Sequence, residues 1–464
     1  MQHRTERKRR KPGQRRLNGQ CRLYAMVLAL VLTASPALAA DVQQLFLSAP
    51  EGPSAKIARE IPSKHARVVR LDETALRLAI DERHSLELNL FNGLTAIADF
   101  DRRIRNPSGS VSWVGRVRGD ARGSVLLVHR DGITVGSVRA HGALYTLHYA
   151  GRDSRGQALH ELFAIDENDP AYTEAPSTPV RLDPERVAAA ERTARRKTIG
   201  EVPEDDGSIQ DLMVVYTPAA RDAVGGVVAI ENLIDLGVTD TNLSYEQSGV
   251  QHRLRLVHTR LIDYDEATPS TIALRDRLRI KDDGHMDEVH PWRDEYHADL
   301  VKLMIAGGSC GRAHIMDEVS LAFEEFAFCY TRYVCVTPRY TFAHELGHVQ
   351  GGRHRWGGDN TDNAPFTFNH GYGDPVAEFL TIMAQGQSDC ADCPRLLYWS
   401  NPDVLEPQSG APMGIPEGQP LAADNRKTLN QTAWTVANFR VDPSSLFNDG
   451  FEQGNITRWT RTSP

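Results

Sequence analysis

No cysteine lies between residues 41 and 309, and the chain of 464 residues holds six in all. Disulfides and thiolate metal sites are therefore excluded from the first half of the body. Aromatic residues are sparse at 7%, and only one stretch is apolar enough to weigh as a membrane span, which excludes a multi-span membrane protein. Positive charge is scarce outside the N-terminus. Residues 1–22 carry nine of the 53 Lys/Arg, and the remainder of the chain has 44 basic against 60 acidic residues, a net −16. So acidic a body argues against nucleic acid as a partner. Hydrophobic residues at 41% and charged residues at 25% sit near globular averages. That balance excludes a disordered chain, a collagen and a coiled-coil rod. The length suits about three units of roughly 150 residues.

The basic N-terminus has its own explanation. Arg4 to Arg22 form a basic region, Tyr24 to Ala34 are almost uniformly apolar, and Ser35-Pro36-Ala37-Leu38-Ala39-Ala40 puts small residues at the A-x-A positions. This reads as a secretory signal peptide over residues 1–40, cut after Ala39 or Ala40. A membrane anchor is the weaker reading, because the apolar core falls well short of the ~20 residues of a spanning helix. Cys21 precedes that core, so it leaves with the leader and is not a lipid-anchor cysteine. The expectation is a secreted, extracellular protein with no membrane association after cleavage, in a compartment where disulfides form. Five cysteines remain: Cys310, Cys329, Cys335, Cys390 and Cys393. An odd count leaves one thiol free or pairing between molecules. Cys390-Ala391-Asp392-Cys393 has the spacing of a metal or redox pair, but no second such pair completes a zinc site, which favours a local structural role.

Residues 41–173 read as β-rich. Leu86, Leu88 and Leu90 alternate with polar neighbours, and Asp131-Gly132 between Ser124–Arg130 and Ile133–Arg139 is a strong hairpin signal. No paired carboxylates, histidine cluster or nucleotide loop is present there. Residues 174–206, with prolines, an Ala/Arg helix-like run and Arg195-Arg196-Lys197, read as an exposed, charged linker with a candidate processing site. Residues 207–441 alternate strand and helix. Asp211 to Thr217 is a strand stopped by Pro218. Val227, Ile230, Ile234, Val238, Thr241 and Tyr245 share one helix face. His252 to Ile262 and Asp299 to Ala306 are further strands, with a helix over Met286 to His297. The pattern points to an α/β unit. His290 and His297 have acidic neighbours, so surface or helix-capping roles are expected of them. Residues 442–464 form a polar tail.

The chemistry concentrates in Phe342 to His354, which contains H-E-x-x-H-x-x-G-x-x-H. His344 and His348 are four apart, so a helix presents both imidazoles on one face to one zinc ion. A third ligand farther along the same helix would point away. Gly351 can take a left-handed conformation at little cost, turning the chain so that His354 returns to the metal. Three histidines leave the fourth position open for water, as catalytic zinc requires. Glu345, next to the first ligand, is placed to take that water's proton and pass it to the leaving amine.

These residues resemble the extended zinc motif of the metzincin metallopeptidases. Thr381-Ile382-Met383-Ala384 resembles their methionine turn, with Met383 expected beneath the three histidines without ligating. Tyr398 to Val404, Asp424-Asn425-Arg426 and Val436-Ala437-Asn438-Phe439 are similar to secreted bacterial reprolysin-like enzymes. Asp211 to Arg221 and His348-Val349-Gln350-Gly351 bring the resemblance closest to the peptidyl-Asp metalloendopeptidases, over about residues 205–441. Some positions depart from the wider pattern. Arg355 stands where reprolysins usually have Asp, Val349 where they often have Asn, and Gln385 where astacins and serralysins have a zinc-binding Tyr.

The resemblance implies an α/β (α+β) metzincin-like catalytic domain with a twisted mixed sheet and a zinc-binding helix, preceded by a β-rich propeptide. It implies a secreted zinc endopeptidase made as a zymogen, with one catalytic zinc ion, protein or peptide substrates and its own propeptide as inhibitor; calcium is left undetermined. It also implies pairing of Cys310 with Cys335, leaving Cys329 over. Other readings weighed are a non-catalytic exported binding protein that keeps the fold, and a zinc peptidase of another clan with Glu as third ligand. Intact Glu345 argues against the first and His354 against the second. With no cysteine in residues 41–309, latency by a thiol on zinc is excluded, and steric cover by the β-module is expected, with a propeptide carboxylate reaching the metal as an additional means. The peptidyl-Asp resemblance also implies cleavage on the amino side of Asp, which requires a cation in the substrate pocket, because an unpaired buried carboxylate costs several kcal/mol. Arg395 is the first candidate, and Arg353 and Arg355 are the second.

Overall fold

Alternating apolar strands in the first half pair side by side, those from Leu86–Asn89 to Ala158–Ile165 in chain order. The computed structural model describes residues 42–49, 60–91, 93–198, 204–267, 271–357, 364–385, 390 and 392–441. The proposed leader and tail lie outside the described residues. Ten strands between Gln43 and Ile165 form one sheet, antiparallel except at one edge where Gln43–Gln44 pairs in parallel with Leu86–Asn89. The hairpin expected at Asp131-Gly132 is present, pairing Ser124–Arg130 with Ile133–Ala140. Both turn residues have positive φ, 54° and 75°, the conformation a two-residue hairpin turn needs.

The second sheet has six strands in the order Thr178–Pro179, Gly311–Ile315, Phe328–Arg332, Leu300–Ile305, Ile209–Tyr216, Arg253–Leu261. Four run parallel. Gly311–Ile315 runs antiparallel to its neighbour Phe328–Arg332, so the sheet is mixed. Helix Val227–Ser248 and helix Thr341–Val349 pack beside it, sharing a core that includes Ile230, Ile234, Phe342, Leu346, Met383 and Trp399. Val227, assigned to the apolar face of its helix, is exposed at the helix start. Cys310 and Cys335 are bridged, as are Cys390 and Cys393, and Cys329 is a buried free thiol. Among the described residues no helix is long and apolar enough to cross a membrane.

Two regions differ from expectation. Pro184–Thr198 is a helix, and Lys197 of the basic triplet is buried, its Nζ donating to Asn438 Oδ1 at 3.0 Å. Glu174, Ala175 and Val180, in the span read as an exposed linker, are buried as well. Backbone pairing to the second sheet overrides their polar composition. His290 is also buried, packed on Phe328 with ring centroids 5.4 Å apart, and burial lowers its pKa. At 6% exposure it is not a surface residue.

The two sheets meet through helix Val227–Ser248, where buried apolar side chains such as Leu126, Ile133 and Leu243 are interspersed with polar contacts. Ser110 Oγ donates to Asp235 Oδ2 at 2.7 Å, Arg102 pairs with Glu246 at 2.6 Å, and Asn232 Nδ2 donates to Ile133 O at 3.0 Å. Asp240 borders a cavity of about 200 Å³ in this seam and has one carboxylate oxygen without a partner among the described residues. Burial pushes its pKa up to about 8. Between the unfolded value of ~3.9 and 8 the folded state binds the extra proton, so stability falls as pH rises through that window. Asp240→Asn is therefore expected to match the parent in melting temperature at pH 4.5 and to exceed it by several degrees at pH 8. Equal melting curves at pH 8 would sink the assignment.

Candidate active site

The sequence places a short helix against the antiparallel strand Gly311–Ile315, and that placement builds the site. Helix Thr341–Val349 carries His344 and His348 on one face, both fully buried. It ends at Gln350, and Gly351 follows with φ 90°, the left-handed turn expected of it. His354 thereby returns, and its Nε2 lies 3.1 Å from Nε2 of both His344 and His348. Among the described residues these three histidines form the one cluster of three or more metal-capable side chains.

The donor set fits a metal. His344 Nδ1 donates to Ile382 O and His348 Nδ1 to Gly352 O, each at 2.9 Å. With the proton fixed on Nδ1, the Nε2 lone pairs of these two rings turn toward a common point. Lone pairs crowded at that distance repel unless a cation sits among them. Burial and mutual repulsion keep the rings neutral, the ligating form, with His344 lowered to about 3 and the other two well below their usual range. The chemistry of three imidazoles and a neighbouring carboxylate suits zinc.

The support beneath the histidines is close-packed. A Cβ at Gly347 would lie 2.6 Å from the Trp399 ring and 2.9 Å from Met383 Sδ, so the methionine sulfur rests against the helix between its two ligands. Gln350 ties the helix end to the rest of the domain, donating to Tyr245 Oη at 2.8 Å and accepting from His252 Nε2 at 2.9 Å. Glu345 is fully buried and neither of its oxygens has a partner among the described residues. Burial raises its pKa well above the carboxylate range, opposed by the Lys302 ammonium. It faces strand Gly311–Ile315 so closely that a Cβ at Gly311 would sit 2.4 Å from Glu345 Oε1. A side chain there would displace the carboxylate, which explains glycine at 311.

The family described as metallo-peptidase family M12B, reprolysin-like, matches residues 207–396. A peptidyl-Asp metalloendopeptidase of Stenotrophomonas maltophilia (strain R551-3) is 33% identical over 359 residues, 72% of this chain and 78% of that relative. The chain belongs to the reprolysin-like metallopeptidases. A peptidyl-Asp metalloendopeptidase of Xanthomonas campestris pv. campestris is 32% identical to this reprolysin-like chain over 395 residues, 81% of it and 86% of that relative. Among solved structures, metalloproteinase-II from Bacteroides fragilis covers 84% of this chain and 98% of its own, at 10% identity and a TM-score of 0.42. With its triad intact, this reprolysin-like metallopeptidase is a zinc metalloendopeptidase.

The three candidate arginines of the reprolysin-like domain separate clearly. Arg353 is buried and engaged with Asp317, with its Nε donating to Ala364 O at 2.8 Å, so it braces the loop around His354. Arg355 is half-buried. Arg395, 2% exposed, is anchored by the carbonyls of Arg339 (2.9 Å) and Ala384 (3.1 Å), and its Nη1 donates to Glu174 Oε1 at 2.9 Å. Thr341 Oγ1 at 3.1 Å and Gln385 Nε2 at 3.3 Å donate to the same carboxylate. Burial opposes the charge on Glu174, but Arg395, the His344 ring and Arg339 pull its pKa down to about 2.

Sequence reasoning missed three of these neighbours. Glu174 was one acid among many in the linker, and nothing local marks it. Lys302 lies inside an apolar strand, donates to Thr331 Oγ1 at 2.9 Å and sits 4.7 Å from the Phe342 ring centre. A lysine in a run of Leu, Val, Met and Ile was the available signal. Gln385 was noted only for not being a tyrosine.

Proposed function

We propose that this metallopeptidase is exported as a zymogen and, once processed, cuts peptide bonds on the amino side of Asp, with Glu345 as general base and Arg395 holding the substrate carboxylate. The residues 41–173 are its propeptide in this reading, residues 174–206 carry the cut that starts the mature form near Asp205, and the signal peptide and disulfides suit an extracellular enzyme. The single observation that carries the specificity is Arg395, a buried guanidinium fixed by two backbone carbonyls and presenting Nη1 to a carboxylate at 2.9 Å. Planar forks of this kind pair with carboxylates better than lysine does. The curated relatives named above carry peptidyl-Asp in their names, which agrees.

Zinc, when held by Nε2 of His344, His348 and His354, supplies a Lewis acid for the scissile carbonyl and lowers the pKa of water. The chain supplies the rest. Glu345 takes the proton of the attacking water at a carboxylate oxygen and returns it to the leaving nitrogen. Once the segment holding Thr178–Pro179 has left with the propeptide, strand Gly311–Ile315 becomes an edge that offers backbone groups to an extended substrate, in the manner of strand addition. Met383 and Trp399 keep the ligand helix from shifting. Proteome-derived cleavage-site profiling of the protein matured from the whole sequence tests this reading. Asp is expected immediately after the cut, and Arg395→Leu is expected to abolish that preference with zinc still bound. Hydrophobic residues after the cut, without acidic enrichment, would refute the specificity and leave the endopeptidase intact.

A further inference from the structure

The segment that joins the two sheets is laid along the very edge a substrate would use. Cys310 N donates to Thr173 O at 3.2 Å, Ala175 N donates to Gly311 O at 2.9 Å, and Val180 N donates to Ile315 O at 3.4 Å. Between them Thr178–Pro179 pairs in parallel with His314–Ile315. An open sheet edge accepts an extended peptide through its unpaired backbone groups, and here the chain's own residues 173–180 have taken them.

We infer that Glu174 is an internal occupant of the substrate-carboxylate pocket, its side chain standing on Arg395, Thr341 and Gln385 where the acidic side chain of a peptide substrate is bound. The inference rests on the reading of Arg395 as the specificity residue. All three donors belong to the catalytic unit: Thr341 opens the zinc helix, and Gln385 and Arg395 follow Met383. None comes from the ten-stranded sheet. The Arg395 guanidinium is held in place by Arg339 O and Ala384 O without help from Glu174, so the receptor geometry outlasts the removal of the segment. Among the described residues the metal-capable cluster consists of the three histidines, without Glu174. Its carboxylate therefore serves the arginine and not the metal. A carboxylate on the metal was one way for the propeptide to impose latency; the geometry favours blocking the pocket instead.

The test uses the whole chain carrying Glu345→Ala, which cannot cut itself. It is titrated with a fluorescein-labelled peptide containing one central Asp and with the same peptide containing Asn, read by anisotropy. Adding Glu174→Gln is expected to tighten binding of the Asp peptide at least ~10-fold and to leave the Asn peptide unchanged. No gain for either peptide, or equal gain for both, overturns the inference. A second readout needs no change at 174. In the Glu345→Ala chain, millimolar Asp peptide is expected to raise hydrogen exchange at residues 173–180, and Asn peptide is not. Exchange that stays fixed with both peptides also overturns it. The specificity reading is judged apart from this, by the cleavage profile of the processed enzyme and its Arg395→Leu form, which start beyond Glu174.

Discussion

Replacing Glu345 with Ala is expected to lower kcat/KM by about 10³ or more while one zinc ion per chain remains bound. A positioned acid–base group contributes roughly 10² to 10⁴ in rate. Glu345 is a buried carboxylate next to the first ligand, and among the described residues neither of its oxygens has a partner. The ligands do not depend on it: His344 and His348 are oriented by carbonyls at Ile382 and Gly352, and Met383 supports them from below. Loss of rate without loss of metal therefore separates the base from the ligand set, whereas His348→Ala should lose both. Metal content by atomic emission, measured beside kcat/KM on one protein preparation, decides it. Activity within tenfold of the parent would remove Glu345 from the mechanism.

Legibility in the sequence follows the range of the interaction. His344, Glu345, His348, Gly351 and His354 were readable because one turn of helix and one left-handed glycine fix their geometry over eleven residues. The Asp131-Gly132 hairpin was readable for the same local reason, its turn conformation being written in two residues. Helix periodicity placed Ile230, Ile234 and Tyr245 inward, and the structure buries all three. Glu174 was not readable, because its partner Arg395 lies 221 residues away and joins it only through sheet pairing. Arg395 could be chosen from the need for a cation near the methionine turn, yet Arg353 looked nearly as good until its engagement with Asp317 was seen. The polar composition of residues 174–206 predicted exposure, and a buried ion pair is the arrangement that defeats composition, since each charge looks solvated when read alone.

In the intact chain, Arg395→Leu and Glu174→Gln are expected to be strongly non-additive. Removing Arg395 leaves Glu174 buried with Thr341 and Gln385 but without its hydrogen-bonded cation, Arg339 acting only through its charge, and breaking a buried pair this way costs about 3–5 kcal/mol. Removing the charge of Glu174 strands Arg395 instead, at a smaller cost, because the guanidinium keeps its two carbonyl acceptors. Once either charge is gone the second substitution has little left to break, so a coupling energy above ~2 kcal/mol is expected from denaturant unfolding of the four forms in a Glu345→Ala background. Coupling within ~0.5 kcal/mol of zero would mean that the two side chains are neighbours without being partners. The pH dependence gives a second check. Glu174 has a folded pKa of about 2, below the unfolded ~4.3, so the stability it contributes is present above the unfolded value and is lost as pH falls toward 2. Without Arg395 the buried carboxyl keeps its proton to higher pH. The penalty of Arg395→Leu should therefore be largest near pH 7 and shrink steadily below pH 4, and a penalty that does not change with pH would point to lost packing instead of a lost counter-charge.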